Sequence, residues 1–245
     1  VKAHTTPSVR RFAPLRPHRV VLLELESVVL APTLIRSELQ PVVRRELPAF
    51  LRRHGESPSV RALVGAIRLS LPRPTLSDEA LRLALDQWIL EERGHSAFRQ
   101  LVAKVWDDIA ERGRLRTTVA TDAAAYLLRS NAIGRAPLVF GSWPAHAQSL
   151  LLSHSDSGPL QRAVHRFVEV PSSDRRAPAS YARIVESLGA SPDDVTVVSG
   201  SARDLEAASL AGLATLQVLR GDARSDGDFF WARNLDALEP SRAAS

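Results

Sequence analysis

The stretch at residues 20–30, VVLLELESVVL, constrains the fold more than any other. It is the first long apolar run, and it carries two acids, Glu24 and Glu26, within it. A continuous Val/Leu run without alternation suits a central strand of a parallel sheet, because both faces of such a strand are covered. Acids near the carboxyl end of a first strand fall in the crevice where open α/β sheets place their chemistry. Residues 20–30 are therefore expected to form the first strand, with Glu24 and Glu26 as candidate catalytic residues.

A chain of 245 residues suffices for one large α/β domain, or for a core with a subdomain. It contains no run of about 18 apolar residues, so no membrane span is expected. Its first residues lack a basic region followed by an apolar core and a cleavage site, so no secretory leader is read there. Without cysteine there is no disulfide, thiolate metal site or thiol nucleophile, which fits a cytoplasmic protein. The net charge of +5 comes from arginine, since Lys2 and Lys104 are the only lysines. The arginines are spread among Asp and Glu rather than clustered with aromatics, which argues against nucleic-acid binding.

Residues 1–18 place Lys2, Arg10, Arg11 and Arg16 among three prolines and read as a loose basic arm. A helical pattern opens at Pro32 and Thr33 and closes at His54 and Gly55. From 57 to 112 the pattern is helical throughout, divided into three pieces by Pro72, Pro74 and Gly94. This block reads as an all-helical cap inserted into an α/β core made of 19–56 and 113–245. Beyond it, strands at 136–140, 166–170, 195–199 and 214–219 alternate with helices at 122–133, 144–152, 177–188 and 202–211. Such alternation predicts an α/β fold with a doubly wound, mainly parallel sheet. Phe229, Phe230 and Trp231 then form an aromatic cluster, either closing the sheet edge or binding a protein partner.

A strand-end acid pair, a helical insertion and later strands ending at Ser142 and Ser199 together resemble the haloacid dehalogenase (HAD) superfamily. Within it the sequence is similar to the enolase-phosphatase, or acireductone synthase, family of methionine salvage. The similarity extends from Val20 to Arg220. It includes Pro41, LPAFL at 47–51, Trp88, Glu91, Arg93, Trp106, Asp122, HSDSG at 154–158, Ser180 and Tyr181. The resemblance implies a Rossmannoid core with a helical cap. It also implies a chemistry in which a first-strand aspartate attacks phosphorus and a Ser with backbone N–H groups cradles the phosphate. A lysine balances the charge, and a later acid helps the first carboxylates hold magnesium.

At most of those positions this sequence departs from the family. The nucleophile is Glu24 in place of aspartate, and a displacement of roughly 1 Å can cost about a hundredfold in rate. Glu26 agrees with the family, but the glycine and threonine of the next turn are Ser27 and Val28. The Ser-Ser-Gly-Ser phosphate turn becomes Gly141, Ser142, Trp143 and Pro144. Ser142 survives, whereas Trp143 and Pro144 are expected to block the pocket, Pro144 also removing an N–H donor. Arg175 replaces the lysine, with Arg176 beside it, and these join Ser142 as candidate phosphate-binding residues. Gly200 stands where the metal-holding aspartate belongs. No cofactor is expected, beyond a weak Mg2+ site, unless Asp204 or Glu206 substitutes. In the cap, the family's Leu-Lys-x-Leu-Gln-Gly stretch is FRQLVA at 98–103, with Arg99 in the place of the lysine.

Loss of so many site residues from a chain that keeps its fold-forming residues points to a pseudoenzyme. The expected role is that of a non-catalytic partner, a stabilising or regulatory subunit of another enzyme, for example one of antibiotic biosynthesis. Phe229, Phe230 and Trp231 are the expected partner-binding residues of such a heterodimer. Two other readings stay open. One is a hydrolase of altered chemistry, with Glu24 and Glu26 acting on a small phosphorylated or other metabolite. The other is a sensor binding phosphate or a metabolite through Ser142, Arg175 and Arg176.

Overall fold

The computed structural model describes residues 20–71, 77–91, 93–171, 173–225 and 227–238, so the expected arm at 1–18 lies outside the described residues. Its sheet contains β1 (Val20–Glu24), β2 (Leu138–Gly141), β3 (Arg166–Glu169), β4 (Val195–Ser199), β5 (Ala214–Val218) and β6 (Trp231–Ala232). The order is β3-β2-β1-β4-β5-β6, and every pairing is parallel. Parallel neighbours need crossover connections, which helices usually supply. Here α5 (Thr121–Ala132), α6 (Ala145–Ser153), α7 (Pro178–Leu188) and α8 (Ala202–Leu210) precede β2, β3, β4 and β5 in turn. The doubly wound α/β sheet expected from the alternation is present.

Because β1, β2 and β4 are central, their residues are buried on both faces. Leu23, Val139 and Val198 enter one apolar cluster, and Leu22, Leu138, Phe140, Val195 and Val197 enter another. Continuous apolar runs are thus read alternately by two cores.

The expected first strand is shorter than residues 20–30. β1 stops at Glu24, and Leu25–Val29 forms a π-helical turn closed by the Leu30 N–H donating to the Leu25 carbonyl at 2.8 Å. Leu25, Val28, Val29 and Leu30 are all fully buried, so their burial satisfies an unbroken apolar run as well as a strand would. π-Helical turns are rare and are frequent at functional sites. A further difference is the π-helical segment Leu34–Leu39 ahead of the next helix, whereas Trp231–Ala232 pairs with β5 as an edge strand, the sheet-edge alternative read for the aromatic cluster.

Between β1 and α5 lie α1 (Gln40–His54), α2 (Pro58–Leu69), α3 (Asp78–Leu90) and α4 (Ser96–Glu111). Ser57 and Ser77 cap α2 and α3 by accepting the N–H groups of Val60 and Ala80. α4 packs on α1 and α2, and α1 also packs on α3. The apolar faces meet through Leu85, Trp88, Phe98, Leu101, Val105 and Trp106, all buried. Around that interior, Arg44 forks onto Asp86 at 2.6 and 2.8 Å, and Arg53 and Arg114 reach Asp108 and Glu46 at 2.7 and 2.9 Å. No helix among the described residues is long and apolar enough to cross a membrane.

Candidate functional site

The strand order reverses between β1 and β4, so the crevice beyond their carboxyl ends is the switch point where open α/β sheets bind ligands. Glu24 is the last residue of β1 and Ser199 the last of β4. Ser142 follows β2, Arg175 lies between β3 and α7, and Asp204 sits in the first turn of α8.

These residues form one closed network. Glu24, only 3% exposed, accepts hydrogen bonds from the Ser27 and Ser199 hydroxyls, from the Gly200 N–H at 3.3 Å, and from Arg175 Nη2. Arg175 donates through Nε to Asp204 Oδ2 at 2.9 Å, again through Nη2 to the same oxygen, and lies 3.5 Å from Glu26 Oε2 through Nη1. Its guanidinium therefore stands among three carboxylates. The second oxygen of Glu26 accepts both donors of Ser142, the N–H at 2.8 Å and the hydroxyl at 2.5 Å.

Two glycines make this arrangement fit. A Cβ on Gly141 would lie 2.9 Å from Glu26 Oε2, so the absent side chain is what lets Glu26 fold over Ser142. A Cβ on Gly200 would lie within 2.9 Å of the Ser27 side chain, whose Oγ accepts the Gly200 N–H at 2.8 Å.

Three carboxylates against one guanidinium leave excess negative charge in a dry place. Burial alone would raise the Glu24 carboxyl, but the Arg175 charge and the hydrogen bonds from Ser199, Ser27 and Arg175 outweigh it and hold the group below its ordinary value. For Asp204, burial wins over Arg175, and with the Glu24 charge adding repulsion its carboxyl is pushed up to about 6. Burial disfavours the Arg175 charge, yet Glu24, Glu26 and Asp204 more than offset this and hold it more firmly protonated than usual.

The structure thus brings Glu24, Glu26, Ser142 and Arg175 together, with Gly200 beside them. Arg176 is exposed and forms no part of the cavity wall. Pro144 is buried and caps the start of α6. Trp143 turns inward: its ring meets Trp106 at 4.5 Å between centroids, and the Arg99 guanidinium lies over it at 5.1 Å. A cavity of about 490 Å³ persists beside it, bounded by Glu26, Ser142 and Arg175 from the core and by Trp88, Phe98 and Arg99 from the helical block. Phe229, Phe230 and Trp231 lie at the opposite side of the sheet from β3, on the β6 edge. Phe229 packs against the second apolar cluster, while Phe230 and Trp231 are 41% and 39% exposed.

Asp204 joins the network, although the sequence marked it only as a substitute metal ligand beside Glu206. Its signal is helical phase: Ala207 and Ala208, three and four residues on, are buried with it, whereas Glu206 is exposed. Asp122, matched to the family by sequence, instead clamps the fold. It accepts from Arg220 at 2.6 Å and from the Leu235 N–H at 2.8 Å.

Magnesium, which the family resemblance implies, does not fit the residues as arranged. The carboxylates of the crevice are Glu24, Glu26 and Asp204, and the Arg175 guanidinium is bonded to all three. Among the described residues no group of three or more His, Asp or Glu side chains is placed to hold a metal ion.

A parallel sheet with β1 at its switch point, acids at the end of that strand and a helical block over the crevice define a protein of the haloacid dehalogenase superfamily. The backbone matches the UTR4 protein of Saccharomyces cerevisiae with a TM-score of 0.71 at 19% identity, covering 89% of this chain and 99% of that one. A solved dehalogenase matches with a TM-score of 0.53 at 17% identity, over 93% and 98% of the two chains. No model of a protein family matches the chain. In sequence it is 32% identical over 214 residues to enolase-phosphatase E1 of Sorangium cellulosum, covering 86% of this chain and 92% of that protein. It is 29% identical over 225 residues to enolase-phosphatase E1 of Azotobacter vinelandii, covering 92% and 99%. The chain belongs to the enolase-phosphatase family.

Proposed function

We propose that this member of the family does not hydrolyse phosphate esters. It acts by binding, as a non-catalytic stabilising or regulatory subunit of another enzyme, with the helical block serving as its cap. The observation that carries this reading is the position of Arg175. Its guanidinium takes the place of a mobile cation among Glu24, Glu26 and Asp204, while Glu26 takes up the Ser142 donors that a phosphate would need. An attacking Glu24 would have to leave Arg175, and breaking a buried ion pair costs on the order of 3–5 kcal/mol. The reading in which Glu24 and Glu26 act as acid and base has less support. Glu24 is buried, held ionised and engaged at both oxygens, while a general base must reach its substrate. A partner has a surface available in Phe230 and Trp231, exposed on an edge strand.

Two measurements test the proposal. With magnesium and an aryl phosphate, the purified chain should release no phosphate above the buffer rate. Native mass spectrometry of the tagged chain drawn from its host should show a second protein at fixed stoichiometry. Magnesium-dependent turnover that Glu24→Gln abolishes would overturn the reading.

A further inference from the structure

The helical block hangs from the sheet by two chain segments that run side by side. Leu30 and Val119 pair as an isolated antiparallel bridge, the Ala31 N–H donates to the Thr118 carbonyl at 2.9 Å, and the Ala120 N–H donates to the Val29 carbonyl at 2.9 Å. A body tied at one place turns about it as on a hinge unless it is also held elsewhere. Here the second hold is at Trp143.

Trp143 lies in the turn between β2 and α6, and its backbone is fixed to the core. Its carbonyl accepts Gln148 Nε2 at 2.8 Å, and the same nitrogen donates to the Val168 carbonyl of β3 at 3.0 Å. The ring reaches across to α4, the last helix of the block. Trp106 meets it at 4.5 Å between centroids, and the Arg99 guanidinium lies over it at 5.1 Å. Arg99 and Trp106 are seven residues apart, about two turns, so one face of α4 grips the indole at two points. Both are buried, and a cation over an aromatic face contributes most where water is excluded. His146 of α6 also lies 3.5 Å from Asp107 of α4, but both side chains are exposed, where such a pair contributes little. Trp106 belongs to the apolar cluster that extends from Leu23 and Val139 of the sheet to Leu85 and Trp88 of the block, and Trp143 packs against it. The interior is therefore continuous across the junction.

We propose that Trp143 bolts the helical block down on the sheet, so that the two form one rigid body and the network of Glu24, Arg175 and Asp204 stays closed to any ligand larger than the cavity beside it. The inference concerns this junction alone and holds with or without a protein partner.

Hydrogen exchange of the full chain, read by mass spectrometry, tests it. If the block is released, the connecting segments at 29–33 and 113–120 must flex, while the sheet need not. In Trp143→Gly the amides of these segments should exchange at least about tenfold faster than in the parent, with β1, β4 and β5 keeping their parent rates. Trp143→Leu fills apolar space without offering Arg99 a ring; it should show the same local rise and keeps the test open if the glycine variant does not fold. Circular dichroism supplies an independent reading, because two indoles this close couple their transitions. The parent should show an exciton couplet in the far ultraviolet that is lost in Trp143→Leu and in Trp106→Phe alike. Unchanged exchange in the connecting segments of the variants would overturn the inference. An equal rise throughout the sheet would overturn it too, since Trp143 would then serve the whole fold and not the junction, and so would a parent without the couplet.

Discussion

Ser27 and Gly200 are matched across the crevice: a Cβ on Gly200 would fall 2.8 Å from Ser27 Oγ and 2.9 Å from Ser27 Cβ. The resemblance read from the sequence puts a glycine at the first position and the metal-holding aspartate at the second, so on that reading the two departures are one exchange of volume. Overpacking a tight site costs on the order of 1–3 kcal/mol. Gly200→Asp should lower stability by about that amount in this chain, and Ser27→Gly should restore much of it. Urea unfolding of both single variants and the double variant should give a coupling of about 1 kcal/mol or more. Additive effects would show that the two positions are independent.

Arg175 balances three carboxylates, so its removal should have two consequences. Arg175→Ala leaves buried acids without a partner, which costs on the order of 3–5 kcal/mol. It also removes the cation that Glu24, Glu26 and Asp204 share, so that carboxylates not placed to hold a metal in the parent are free to close on a divalent cation. Adding Mn2+ should therefore raise the thermal midpoint of Arg175→Ala and leave the parent chain unmoved. At a hundredfold excess over the dissociation constant the gain is about 2.7 kcal/mol. An equal shift in the parent would mean that the guanidinium does not occupy the cation's place.

Much of this was legible in the chain, and the parts that were not have physical causes. The alternation of apolar strands and helices gave the doubly wound sheet, because parallel strands buried on both faces leave long apolar runs. The end of β1 was hidden for the same reason, since Leu25, Val28 and Val29 are as buried in their π-helical turn as strand residues would be. Family matching located Glu24, Ser142, Arg175 and Gly200 one position at a time. It did not reveal that Arg175 turns toward the acids, that Glu26 folds onto Ser142, or that Gly141 and Gly200 make room for this. Most of these relationships join residues more than a hundred positions apart, and all exist only in the folded crevice. Arg176 shows the converse: adjacency to Arg175 suggested a second phosphate ligand, yet its side chain is exposed and lines no part of the cavity.

Asp204 makes stability fall as the solution is made less acidic. Its carboxyl is raised from 3.8 to about 6, so the folded state holds the proton more tightly than the unfolded chain does. That contribution is complete below the ordinary value and is lost as pH rises through about 6. Arg175, Glu24 and Glu26 surround the group in the parent and in Asp204→Asn alike, so a difference between the two chains isolates Asp204. From about pH 4 to about pH 7 the parent should lose up to about 3 kcal/mol relative to Asp204→Asn, at roughly 1.4 kcal/mol for each pH unit between the two values. Chemical denaturation across that range measures it, and a constant difference would place the titrating group elsewhere.

The β6 edge allows the proposed partner role to be separated from fold stability. Trp231 stands outward with Arg233 over its ring at 5.4 Å, and Arg233 is held by the Gly221 and Ala223 carbonyls at 2.9 and 2.8 Å. Phe230 is still more exposed, while its carbonyl accepts the Gln217 N–H at 2.8 Å through backbone alone. Replacing both side chains by alanine therefore leaves the strand pairing in place. Exposed positions of this kind usually change stability by no more than about 0.5 kcal/mol. Aromatic residues at the centre of an interface, by contrast, often contribute about 2 kcal/mol or more each. The double variant should unfold at nearly the parent temperature and lose its co-purifying partner. A variant that keeps the partner would move the interface away from this edge, and one that melts early would mean that Phe230 and Trp231 serve the sheet instead.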